Sequence, residues 1–205
     1  MNIDRHHFRY FVEQWLEKSR NASHGDHTPF VDEFIHAYIA FNAAYTTAAY
    51  LYDGPRQVIR TWDYLIGGPR KPRRPKRFVS EQARATRLVI HLVGKKLLEE
   101  FLQTIVTEVH AACRQIEDGD IYVIEREDGM PDIAANTELA TDIRRGNVES
   151  FLTLIYLLRC NLFHGAKHLS DVQRVQLRAA TSYLHLVVPR MVDLIERQIA
   201  IEANA

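Results

Sequence analysis

Residues 159–167 read RCNLFHGAK and place an arginine, an amide, an imidazole and a glycine within seven positions. Imidazole is the side chain whose unperturbed pKa lies near neutrality, so His164 suits proton transfer. The planar guanidinium of Arg159 offers a donor fork for anionic oxygens that a lysine does not supply. Proton transfer beside a held anion is the chemistry these residue types allow. Spacing alone does not establish it. With 20 arginines and 10 histidines among 205 residues, one histidine five positions after an arginine is expected by chance, and one occurs.

Context carries more weight than spacing. An apolar, helix-like run at 151–158 delivers the group, Asn161 lies between Arg159 and His164, and Gly165 suits a left-handed cap just past the last helical residue. Five positions turn an ideal helix through about 500°, so Arg159 and His164 would not share a face of one regular helix. Asn161 and His164, three apart, would. Convergence of Arg159 and His164 requires a distorted last turn, or a second copy of the motif across a two-fold axis.

The elements that must position this group are helices. Phe8, Phe11, Val12, Trp15 and Leu16 recur at three- and four-residue spacing and predict a helix over 4–18, followed by a polar linker over 19–27. Thr28 as cap and Pro29 at the first helical position, with Asp32 and Glu33 in the first turn, open an aromatic- and alanine-rich helix through Tyr52. A shorter helix is expected over 56–66. Residues 70–77, RKPRRPKR, carry six cations and two prolines and read as an exposed loop. A long amphipathic helix over 80–117 is the expected spine, with Leu88, Leu92, Leu98, Phe101, Leu102, Ile105 and Val109 on its apolar face. Residues 118–132 turn acidic and predict a short irregular or hairpin excursion with a turn at Asp128-Gly129. A short helix over 137–144 and the motif helix over 148–164 follow. Ser170 and Gln173 form a capping box for a last helix reaching Ile201. The expected architecture is all-α, a bundle of about five main helices in a single domain, 1–205.

Composition sets the remaining bounds. An apolar fraction of 46% and a charged fraction of 25% are those of an ordinary soluble globular protein. Cations and anions balance at 26 each, so any affinity for nucleic acid must be local rather than global. Two cysteines, Cys113 and Cys160, in apolar helical contexts predict no disulfide framework and a cytoplasmic setting. Neither a signal-peptide pattern nor a membrane-spanning run is expected.

The stretch RCNLFHGAK resembles the arginine-x4-histidine motif of HEPN-domain proteins, especially stand-alone bacterial relatives reading arginine, polar, asparagine, apolar, phenylalanine, histidine, glycine. FIHAYIAFNAAY, at 34–45, resembles the aromatic-rich helix that precedes the motif in that family. The resemblance implies a HEPN-like helical fold and a homodimer with a composite active site. It further implies metal-independent endoribonuclease activity without a cofactor, through a 2′,3′-cyclic phosphate. Arg159 would hold the scissile phosphate, His164 would transfer the proton and Asn161 would orient either. RNA would be contacted by Lys167 and by Arg70, Lys71, Arg73, Arg74, Lys76 and Arg77 of the basic loop, whose cations give affinity without reading sequence. Trp62 and Tyr64 just before the loop suit base stacking. The expected role is the effector or toxin of a defence or toxin-antitoxin system, with a cognate antitoxin protein as partner.

One position departs from the pattern: active relatives carry asparagine, aspartate or histidine after the arginine, where Cys160 stands here. The alternative reading is accordingly a catalytically inactive HEPN-like module that binds RNA, nucleotide or a partner protein. Two further features have plainer explanations. His24 and His27 with Asp26 lie in a polar linker and lack the further ligands of a metal site. Asn42, on a helix of aromatics and alanines, is expected to be buried and bonded to backbone.

Overall fold

The computed structural model describes residues 4–22, 29–52, 80–163 and 173–203. Over these residues the chain is all-α, with about eight helices rather than five. The helices are α1 (Arg5–Asn21), α2 (Pro29–Tyr52), the composite α3, α4 (Lys95–Thr104), α5 (Val106–Glu117), α6 (Ile133–Arg144), α7 (Val148–Phe163) and α8 (Arg174–Ala203). Composite α3 runs from Glu81–Ala83 through a π-helical turn, Arg84–Leu88, into Val89–Val93. The expected helix over 56–66, the basic loop, the His24–His27 linker, Ser170 of the capping box, His164 and Lys167 lie outside the described residues.

Helix α1 starts at Asp4, whose carboxylate accepts from the amides of His6 and His7 at 2.9 and 3.1 Å. Phe8, Val12, Leu16 and Ser19 face inward, while Phe11 stays about half exposed and packs edge-on against Trp15. Helix α2 lies between α1 and α8, its two most extensive neighbours. Alanines at 37, 40, 44 and 48 are fully buried and let these helices approach closely. A helix apolar on most of its circumference has to be an interior one, and α2 is.

The single spine expected over 80–117 is broken twice. Gly94 adopts φ 92°, ψ 132° and separates α3 from α4. A Cβ there would meet no atom within 4 Å, so glycine serves the backbone angle and not the space. The second break falls at Ile105 (φ −112°, ψ 23°), within the β-branched run Thr104-Ile105-Val106-Thr107, where χ1 restriction weakens helix.

The excursion at 118–132 forms no paired strands among the described residues. Its hairpin character is reduced to one antiparallel bridge, Glu125 with Pro131, around a turn in which Gly129 has φ 76°. The reason is Asn136, which is 1% exposed and does the work of a neighbouring strand. Its Oδ1 accepts from the amides of Val123 and Ile124 at 2.8 and 3.1 Å, and its Nδ2 donates to the carbonyls of Ile124 and Asp132 at 2.7 Å each. Asp132 caps α6 by accepting from Ala135 at 3.0 Å, so this helix begins before the expected Thr137.

Helix α8 closes the described core. Tyr183 donates to the Leu98 carbonyl at 3.1 Å and meets Phe151 of α7 edge-on at 5.1 Å. At the α1–α8 contact, Glu196 takes Arg9 Nε at 2.7 Å, Arg9 NH2 at 2.8 Å and Arg5 at 3.2 Å. No described helix is long and apolar enough to cross a membrane.

Candidate functional site

Helix α7 carries the motif out of the core. Val148, Phe151, Leu152, Leu154, Ile155 and Leu158 are its buried face, and the polar motif residues follow at its last turn. Side chains two positions apart on a helix diverge by about 200°. Arg159 and Asn161 accordingly reach different neighbours, Arg159 towards α2 and α3, Asn161 towards the extended segment after α5.

Arg159 is the better defined. Its side chain is 23% exposed, with the guanidinium 5.8 Å from the Tyr38 ring and 5.0 Å from the Phe163 ring, and NH1 lies 4.0 Å from Cys160 Sγ. Both rings are within reach for cation–π attraction, which is strongest where water is partly excluded. NH2 lies 3.5 Å from Glu81 Oε1. Burial opposes the charge on Arg159, but Cys160, Glu81 and Tyr38 together outweigh it and raise the pKa further. The guanidinium is cationic at any working pH.

Glu81 is placed by two helices. Ser80 caps the start of α3, accepting from Ala83 at 3.2 Å, which puts Glu81 in the first turn. Tyr45 of α2 donates to its Oε1 at 3.1 Å. With the Tyr45 proton committed to the carboxylate, the Tyr38 hydroxyl, 3.4 Å away, donates to Tyr45 in turn. An aromatic ladder on α2, Phe34, Tyr38, Phe41 and Tyr45 with successive centroids 5.9, 5.9 and 5.1 Å apart, thus leads from the core to Glu81 and Arg159. Burial drives the Tyr38 and Tyr45 hydroxyls well above the ordinary phenol range. Tyr156 is pushed up to about 12, first by burial and next by its hydrogen bond to Cys160. All three phenols stay neutral, so they orient charge here and do not supply a base. The salt bridge from Arg87 to Glu149, 2.9 Å, holds α3 against α7 beside this cluster.

Asn161 donates from Nδ2 to the Val123 carbonyl at 3.3 Å. Asn42 is half-buried and accepts from the Thr46 hydroxyl at 3.2 Å, a bond within its own helix rather than the buried bond to backbone that was expected. Cys160 is half-buried and Cys113 fully so, both as free thiols, and burial pushes the Cys113 thiol up to about 12. Among the described residues, no cluster of His, Cys, Asp and Glu is arranged to hold a metal ion.

Among the described residues, two cavities lie elsewhere. One of about 560 Å³ runs between α1 and α8 and is lined by Arg9, Glu13, Arg20, Pro189 and Asp193 among others. The other, about 240 Å³, includes His110, Arg144 and Arg145. Neither is lined by Arg159 or Asn161.

Of the expected site residues, then, Arg159 and Asn161 are placed and stand on separate sides of α7. His164, Lys167, Arg70, Lys71, Arg73, Arg74, Lys76 and Arg77 fall outside the described residues. Glu81, Tyr38 and Tyr45 were not anticipated as neighbours of Arg159. The aromatic run at 34–45 was a visible signal, but nothing in the local sequence marked Glu81. No protein-family model, curated protein or solved structure matches the chain.

Proposed function

We propose that the chain is a metal-independent endoribonuclease of the HEPN type, the effector or toxin of a defence or toxin-antitoxin system, acting as a cytoplasmic homodimer. The ribose 2′-oxygen attacks the adjacent phosphorus, the bond to the 5′-oxygen breaks, and the products end in a 2′,3′-cyclic phosphate and a 5′-hydroxyl. Arg159 offsets charge on the phosphoryl oxygens and His164 moves the proton. A second His164 from the other protomer supplies the partner needed for acid and base on opposite sides of the phosphorus. Asn161 orients the group, and Lys167 with the 70–77 loop holds the RNA backbone.

One observation carries this reading. Arg159 is held at the end of a helix, partly exposed, beside two aromatic rings and, among the described residues, without a close charge-assisted hydrogen bond, which leaves donors for an incoming phosphate. The second reading is a HEPN-like module that binds RNA, nucleotide or a partner protein without cleaving. It is favoured by the intramolecular partners that Arg159 and Asn161 already have, Glu81 and the Val123 carbonyl.

Cleavage of mixed-sequence RNA by the wild type and by His164→Ala, with chelator present, separates the two. Cyclic-phosphate products from the wild type that disappear in the variant support the ribonuclease. Intact RNA after long incubation with folded wild-type dimer supports the binding module.

A further inference from the structure

Glu81 and Tyr45 impose a condition on any anion that approaches Arg159. The carboxylate is fixed from the core side: Tyr45, 1% exposed, donates to its Oε1 at 3.1 Å, and the Ser80 cap fixes the helix start from which it projects. Arg159 reaches that same oxygen only at 3.5 Å, well beyond the roughly 2.7–2.9 Å of a charge-assisted hydrogen bond. The acid is therefore the anchored partner and the guanidinium the loosely held one. Glu81 is 39% exposed, so its charge faces the solvent from which a phosphate would arrive. As a pair the two residues are neutral. A phosphate on Arg159 would sit within a few ångströms of a fixed negative charge in a setting drier than bulk water, where like charges repel more strongly.

We propose that Glu81 is a built-in competitor for the anion that Arg159 binds, so that the charge at position 81 sets the affinity of the site for a single-stranded RNA backbone. This rests on the assignment of Arg159 to the phosphate in the ribonuclease reading. Tyr45 acts through Glu81 as a positioning residue, holding the carboxylate where it opposes the incoming phosphate.

Glu81→Gln is the direct test, because glutamine keeps the shape and an acceptor for Tyr45 while removing the charge. The probe is a short 2′-O-methyl oligonucleotide of mixed sequence, which cannot be cleaved through its 2′-oxygen. Its binding to the full chain is followed by fluorescence anisotropy over a series of KCl concentrations. Glu81→Gln is expected to bind about tenfold tighter. The slope of log affinity against log salt should steepen by about 0.7, the value for one added phosphate contact on a single strand. In an Arg159→Gln background, the same change at 81 should do nothing. A purely structural ion pair would shift the melting temperature without moving the salt slope. Glu81→Asp, which draws the charge back towards α3, should fall between wild type and Glu81→Gln and serves if the glutamine variant does not fold.

Unchanged or weaker binding by Glu81→Gln, with Arg159→Gln weaker than wild type, overturns the competitor and leaves Arg159 on the phosphate. If Arg159→Gln binds as the wild type does, the assignment of Arg159 fails and the competitor with it. No binding by any variant is equally fatal to both.

Discussion

The Asn161 side chain donates to the Val123 carbonyl at 3.3 Å, while the Val123 amide is taken by Asn136 at 2.8 Å. The residue that the motif places between arginine and histidine is thereby tied to the irregular segment following α5. Motif geometry and the shape of that segment are coupled through one residue, Val123.

The two asparagines should differ sharply when truncated. Asn136→Ala leaves the amides of Val123 and Ile124 without partners, while the carbonyls of Ile124 and Asp132 keep backbone amides at 3.0 Å each, and is expected to cost about 2–5 kcal/mol, at roughly 1–3 kcal/mol for each amide left unpaired. Asn161→Ala removes one longer, partly exposed bond and should cost about 1 kcal/mol. Urea unfolding checks this through the transition midpoints, provided the slopes match the wild type. Equal losses would mean that Asn136 does not organise the segment.

Gly94→Ala should destabilise despite meeting no neighbour. At φ 92°, ψ 132° the backbone is in a region that side chains rarely adopt, and about 1–3 kcal/mol is the expected cost of forcing alanine there. Gly94→Asn should recover none of that, since ψ lies well outside the left-handed helical well that asparagine tolerates. Thermal unfolding of both variants is the measurement, and a neutral Gly94→Ala would show that the α3–α4 break can straighten.

Acid should weaken the fold in two stages. His185 is bonded to Ser19 Oγ at 2.9 Å, and burial, with Arg20 nearby, lowers its pKa below the ordinary 6.5. The unfolded chain therefore takes up a proton before the folded one, and stability falls as pH drops below about 6.5, levelling off once the folded group also protonates. Glu196 is held below its ordinary 4.5, chiefly by the Arg9 hydrogen bonds, against the opposing effect of burial. Its contribution is complete above pH 4.5 and is lost as pH falls through the lowered folded value. Melting temperatures from pH 8 to pH 3 should show both stages. His185→Gln should erase the first and Glu196→Gln the second; a variant that leaves its stage unchanged removes that residue from the account.

Periodicity made much of the helical framework legible. The inward stripe of α1, the buried α2 and the apolar face of α7 follow from residue spacing, because a helix that buries one side must repeat at its own turn. The breaks at Gly94 and Ile105 were missed because the apolar pattern continues across them: Leu92, Leu98, Leu102 and Val109 still face inward on a bent path. The excursion is irregular, one of the two forms its sequence leaves open, for a different reason. Alternation at 121–124 marks an extended chain, but not whether its partner is another strand or one side chain such as Asn136. Glu81 beside Arg159 depends on how α2, α3 and α7 meet, and contacts between distant segments leave no trace in local spacing.

Residues 121–124, Ile-Tyr-Val-Ile, are the kind of short β-prone run that seeds intermolecular strand pairing when its peptide groups stand open. Asn136 engages the amides of Val123 and Ile124 and the Ile124 carbonyl, and Asn161 takes the carbonyl of Val123. The same two side chains that shape the segment also deny it as a template for a second chain, so their loss would be felt as insolubility as much as instability.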